Sequence, residues 1–121
     1  MGSQRKILIV DDEFLVALAM AQDLEENGFA VAGPYANAED AETHIEDERP
    51  DAAFLDVNLG NGRTSYRLAR RLKDMGVPFL FVTGYSSLDS EHTDLNDTKR
   101  LSKPVAPAKA VAEAEKLCSL G

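Results

Sequence analysis

Three short runs of aliphatic and phenylalanine side chains each close on a polar residue: residues 6–10 on Asp11, 52–55 on Asp56 and 78–82 on Thr83. A run that does not alternate apolar with polar positions reads as a strand buried on both faces, as in a parallel sheet covered by helices. Parallel neighbours cannot be joined by a tight turn, so helices must lie between these runs. Residues 13–27 meet that demand, with Phe14, Ala17, Leu18, Ala21 and Leu24 at helical spacing and Asn27-Gly28 as the stop. A weaker strand follows over 30–35, where Pro34 favours a sheet edge, and Asn37 is the predicted N-cap of a helix carrying Ala38, Ala41 and Ile45. After Asp56, the Gly60-Asn61-Gly62 stretch reads as a flexible loop, and a helix with Leu68, Ala69, Leu72 and Met75 halts at Gly76.

The remaining chain is less regular. Residues 86–97 hold only Leu88 and Leu95 as large apolar groups, so a helix there has little to bury and is expected to be mobile. Residues 99–103 read as a short last strand, and Pro107 opens a helix with Ala110, Val111, Ala114 and Cys118 on one face. Five strands alternating with about five helices define an α/β fold with a doubly wound parallel sheet and helices on both faces. Met1, Gly2 and Ser3 read as an added or disordered start. The expected organisation is an irregular stretch over 1–5 and one domain over 6–121.

Sheets of this class bind ligands beyond the carboxyl ends of their strands, where the strand order reverses. That rule gathers Asp11, Asp12, Asp56, Thr83 and Lys103. Carboxylates drawn together repel one another and predict a cation, and an oxygen-only set favours magnesium over softer ions. In that reading Asp12 and Asp56 bind the ion and Asp11 is held through water. No ligand run of the EF-hand kind supports calcium. A carboxylate can attack phosphorus if the protein aligns it and neutralises the phosphoryl oxygens, a task for Lys103 and the metal, with the Thr83 hydroxyl donating to the same oxygens. Taken singly, Asp11 and Asp12 would cap a helix, Asp56 and Thr83-Gly84 would form turns, and Lys103 would be a solvated cation; only their shared position at strand ends argues otherwise.

Charge and cysteine content narrow the setting. A net charge of -8 without a basic stripe opposes a bare nucleic-acid binder. Cys118 stands alone, which excludes an internal disulfide and fits a reducing compartment, most simply the cytoplasm. No apolar run approaches the roughly 18 residues of a membrane span.

The segments Val10-Asp11-Asp12-Glu13, Leu55-Asp56-Val57-Asn58, Val82-Thr83-Gly84 and Ser102-Lys103-Pro104 stand in the order and spacing of the CheY-like receiver domains of response regulators, which the chain resembles from Lys6 to Leu120. The resemblance implies the flavodoxin-like strand order 2-1-3-4-5. It implies Asp56 as phospho-acceptor from a histidine kinase or histidine phosphotransfer protein. Magnesium would lie on Asp11, Asp12, Asp56 and the backbone carbonyl of Asn58, with Thr83 as switch hydroxyl, Lys103 on the phosphate and a cis Lys103-Pro104 bond. Receivers usually carry an aromatic residue three positions before that lysine, where Arg100 stands here. The segment from Pro78 to Tyr85 is similar to the signature of the FAT GUY receivers, which also lack that aromatic; this likeness implies signalling through Thr83, Gly84, Tyr85 and the following helix. A chain stopping at Gly121 would leave no output domain, so its output would be docking to another protein, as a monomer or weak dimer, without direct contact to nucleic acid or membrane.

Three other readings compete. Asp56-Val57-Asn58 loosely imitates the nucleophile motif of haloacid dehalogenase phosphohydrolases, but that class places its nucleophile on the first strand and needs a larger body. A flavodoxin-like cofactor binder would want a Gly-rich or Ser/Thr-rich phosphate loop after the first strand, which is missing. A degenerate receiver acting only as a docking module is opposed by the complete acid, threonine and lysine set.

Overall fold

A computed structural model describes residues 4–84, 95 and 97–120. The chain runs β1 (Lys6–Val10), α1 (Phe14–Glu26), β2 (Ala30–Tyr35), α2 (Ala38–Asp47), β3 (Ala52–Asp56), α3 (Tyr66–Asp74), β4 (Phe79–Thr83), β5 (Arg100–Ser102) and α4 (Pro107–Leu120). All pairings are parallel, in the order β2-β1-β3-β4-β5. The order reverses between β1 and β3, so the crevice that ligands use in such sheets opens over the ends of those two strands. Of the helix expected within 86–97, only Leu95, which is buried in the core, and Asp97 are among the described residues.

The unbroken apolar runs sort themselves by the two-residue period of a strand. Ile7 and Ile9 of β1, with Phe54, Leu80 and Val82, face α1 and α4. Leu8 and Val10, with Leu55 and Phe81, face α2 and α3. Burying each Leu, Ile or Phe contributes about 1.5–3 kcal/mol relative to exposure, so this two-sided core supplies most of the drive to fold. Pro34 lies on the edge strand, where its missing N–H breaks no ladder. Asn37 caps α2 through a 2.8 Å bond from the Asp40 N–H to its Oδ1, and Glu39 and Asp40 complement the helix dipole in the first turn.

Two local expectations are corrected. Phe14, assigned to the buried face of α1, is 55% exposed, beside Leu15 at 79% and Val16 at 43%. Consecutive apolar residues cannot all share one helical face, and Ala17, Met20, Ala21 and Leu24 take the core side. The Gly60-Asn61-Gly62 stretch is a closed hairpin rather than a flexible loop. Arg63 N–H donates to Gly60 C=O at 2.9 Å, Leu59 N–H donates to Arg63 C=O at 2.9 Å, and Asn58 bridges Thr64 in antiparallel fashion. Asn61 and Gly62, the two central residues, have φ of 54° and 73°, the pattern of the type I′ turn that Asn-Gly favours.

Candidate functional site

The carboxyl ends of β1, β3 and β4 and the residue after β5 deliver Asp11, Asp56, Thr83 and Lys103 to one spot. Asp11, Asp56 and Thr83 are 4%, 5% and 3% exposed, whereas Asp12 and Asn58 stand open to solvent. One carboxylate oxygen from each of Asp11, Asp12 and Asp56 lies within 4.8 Å of the others. The Lys103 ammonium reaches Asp56 Oδ2 at 3.0 Å, Asp11 Oδ2 at 3.1 Å and Glu13 Oε1 at 2.5 Å. Asp11 also accepts the Glu13 N–H at 2.9 Å, tying the acid to the start of α1. Lys103 is fixed from behind, because its own N–H donates to the Thr83 carbonyl at 3.0 Å; its bond to Pro104 is cis.

The electrostatics are those of an under-compensated acidic site. Burial first, and then the neighbouring Asp11 charge, push the Asp56 carboxyl from 3.8 up to about 7, against the opposing pull of Lys103. Burial would weaken the Lys103 ammonium, but its hydrogen bonds to Glu13, Asp56 and Asp11 outweigh that and hold it above the ordinary lysine range. One lysine among four carboxylates leaves net negative charge in a small space. The donor set is oxygen only, close-set and partly solvated, which fits a hard divalent cation that keeps some of its waters.

A cavity of about 420 Å³ opens over this cluster, lined by Asp12, Glu13, Asp56, Asn58, Thr83 and Lys103, with Gly60 and Gly84 on its wall. A larger hollow of about 660 Å³ lies at the opposite end of the sheet, lined by Lys73, Lys99, Glu113 and Lys116 among others, with Glu113 paired to Lys99 and Lys116. It lacks the converging strand ends and the acid cluster, so the chemistry belongs to the smaller cavity. Arg100 is not on its wall; it pairs with Phe81 in the β5–β4 register and is half-buried. Tyr85 lies outside the described residues. The Asn58 side chain turns into the hairpin, its Oδ1 accepting the Gly60 N–H at 3.0 Å.

Sequence reasoning missed two features. Glu13, the acid after the Asp pair, shares Lys103 with the buried carboxylates. The exposed Phe14, Leu15 and Val16 form an apolar step on the first turn of α1, and Val16 continues into a hollow of about 300 Å³ beside Lys103, Pro104, Val105 and Pro107. Three adjacent large apolar residues were the available signal, since one of them at least must face water in an amphipathic helix.

Comparison with known proteins agrees with this geometry. Residues 7–115 match the family described as the response regulator receiver domain. The chain is 33% identical over 102 residues to the sensory transduction protein LytT of Bacillus subtilis, a match covering 82% of this chain and 42% of that protein. It is 33% identical over 116 residues to the transcriptional regulatory protein PrrA of Mycobacterium tuberculosis, covering 93% and 49%. The chain therefore spans about half or less of the length of these curated relatives. Among solved structures, a CheY-like receiver domain protein from Methanospirillum hungatei superposes with a TM-score of 0.83 at 30% identity, covering 98% and 97% of the two chains. SdrG from Sphingomonas melonis superposes with a TM-score of 0.78 at 36% identity, covering 98% and 99%. With five parallel strands in the reversing order, an acid cluster at the switch point and a family match over most of its length, this chain belongs to the response regulator receiver domains.

Proposed function

We propose that Asp56 accepts a phosphoryl group from a histidine kinase or a histidine phosphotransfer protein, in a reaction that needs magnesium, and that the resulting change alters docking to another protein. The observation that carries this reading is the position of the Lys103 ammonium, 3.0 Å from the carboxylate of Asp56 and 3.1 Å from that of Asp11. In the transfer, an Asp56 carboxylate oxygen forms the new bond to phosphorus as the phosphorus–nitrogen bond to the donor imidazole breaks. The imidazole leaves as a neutral base after taking up a proton from solvent. Asp11, Asp12, Asp56 and the backbone carbonyl of Asn58 would hold the ion. Bound magnesium would offset the charge of the carboxylates and of the equatorial phosphoryl oxygens. Lys103 keeps its hold on Asp56 while giving its other hydrogen bonds to phosphoryl oxygens.

Thr83 is nine-tenths buried at the cavity wall, within reach of a role as the switch hydroxyl. Gly84, Tyr85 and Arg100 are the further switch residues in this reading, following the FAT GUY likeness of the 78–85 segment. In this reading the apolar step of Phe14, Leu15 and Val16 beside the cavity is the docking face for the phosphodonor, supported by the exposure of three adjacent large apolar groups, the kind of patch that marks interaction surfaces. The protein acts as a single-turnover acceptor with slow autodephosphorylation rather than as a multiple-turnover enzyme. It works as a monomer or weak dimer in the cytoplasm, without contacting nucleic acid or membrane itself; among the described residues, no helix is long and apolar enough to cross a membrane.

Incubation with acetyl phosphate and magnesium, followed by intact mass measurement, tests the proposal. One phosphoryl group should appear on the wild type, none on Asp56→Asn, and chelation of magnesium should abolish it. Sustained release of phosphate from a generic aryl phosphate would instead favour the hydrolase reading.

A further inference from the structure

The hairpin that follows Asp56 does more than connect β3 to α3. Its Gly60 has φ of 85°, and a methyl group built on it would stand 3.3 Å from Asp12 Oδ2, closer than relaxed van der Waals contact. The neighbouring Gly62, with φ of 73°, meets nothing within 4 Å. The hairpin cannot easily retreat from that contact. It is closed by the Arg63 to Gly60 and Leu59 to Arg63 backbone bonds, braced by Asn58 Oδ1 on the Gly60 N–H, and anchored by Leu59, which is buried in the core. Asp12 is the mobile partner, because it is the exposed member of the acid cluster.

We infer that Gly60 is a positioning residue for the cation site: by carrying no side chain on a rigid hairpin, it leaves the Asp12 carboxylate free to stay beside Asp11 and Asp56. The inference rests on the magnesium reading above and adds a residue that touches neither metal nor phosphoryl group. Any side chain at position 60 presses on Asp12 Oδ2 from the hairpin side. The carboxylate must then give by a few tenths of an ångström, which moves the exposed ligand off its place beside Asp11 and Asp56. Perturbing a neighbour that orients a metal ligand weakens affinity by about 10–100-fold, and the Gly60→Ala effect is expected at the lower end, about tenfold.

Calorimetric titration of magnesium, repeated with manganese, tests this on the whole chain. Gly60→Ala should weaken binding about tenfold, whereas Gly62→Ala, which introduces the same left-handed strain without the contact, should bind within about twofold of the wild type. A double-mutant cycle supplies a readout that a generally loosened hairpin would not produce. In an Asp12→Ala background, already weakened, Gly60→Ala should cause no further loss. If Gly60→Ala fails to fold, Gly60→Asn, whose side chain tolerates the left-handed region, replaces it in the same cycle. Equal affinity of Gly60→Ala and wild type, or equal losses in the Gly60 and Gly62 variants, would overturn the inference. A wild type that binds neither metal would instead overturn the magnesium reading itself.

Discussion

Replacing Asp56 by Asn should make the metal-free protein more stable, and by an amount that grows with pH. The Asp56 carboxyl, ordinarily near 3.8, is held at about 7 by burial and by Asp11. Its folded-state value is raised, so the folded protein keeps a proton that the unfolded chain gives up, and stability falls as pH rises from about 4 to about 7. Linkage between those two values gives a cost of about 2 kcal/mol at about pH 5 and about 4 kcal/mol at about pH 8. An amide carries no charge to desolvate, so the Asp56→Asn advantage should widen by about 2 kcal/mol across that interval. For a chain of this size that corresponds to a change of about 10 °C in relative melting temperature. Magnesium should reverse the order. It favours the ionised, folded wild type by mass action and should stabilise the wild type far more than the amide variant. Thermal and urea melts of both proteins at the two pH values, with chelator and with saturating magnesium, give the comparison. A stability difference that stays constant with pH would refute the reasoning, as would equal stabilisation of the two proteins by magnesium.

Two further predictions concern residues away from the acid cluster. Leu15→Ser should leave acetyl phosphate labelling of Asp56 unchanged while slowing transfer from the cognate phosphohistidine partner at least tenfold, since losing a buried apolar anchor at an interface costs about 1.5–3 kcal/mol; parallel labelling time courses read both. Glu113 is 1% exposed and accepts Lys99 at 2.7 Å and Lys109 at 3.2 Å, tying α4 to the start of β5. Glu113→Gln should therefore cost about 1.5–3 kcal/mol in urea melts at neutral pH. Burial disfavours the Glu113 charge, but the lysines outweigh it and hold the carboxyl below 4.5, so this loss relative to wild type should shrink once the pH falls through that range.

The strands and the site residues were legible because they depend on local chemistry. A run such as Ile7-Leu8-Ile9-Val10 has no polar face to offer water, which forces burial on both sides and hence a parallel sheet. Once the sheet is parallel, every strand exposes its carboxyl end at the same edge, and the polar residues closing the runs must gather there. That is why Asp11, Asp56, Thr83 and Lys103 could be grouped although up to 92 positions separate them. Asn37 and Pro107 were readable for the same reason, as a cap and a first-turn residue act within one turn of their own helix.

Other features were decided only when distant segments met. Phe14 has the right spacing for the core, and only the packing of α1 against the sheet and α4 turned it outward, in favour of Met20. The Glu113 cluster shows no sign in sequence beyond lysines four before and three after it, because its closest partner, Lys99, comes from another element. Asn61-Gly62 encodes a turn, but its closing bonds and its approach to Asp12 depend on where α1 and β3 place their ends. The amino-acid order thus determined which groups could be buried and which had to stay at strand ends, since solvation acts on each residue where it stands. Tertiary packing decided which carboxylate faces the Lys103 ammonium, how deeply Asp56 is buried and how close Gly60 comes to Asp12, since distances of a few ångströms between remote residues are fixed only when the whole core closes.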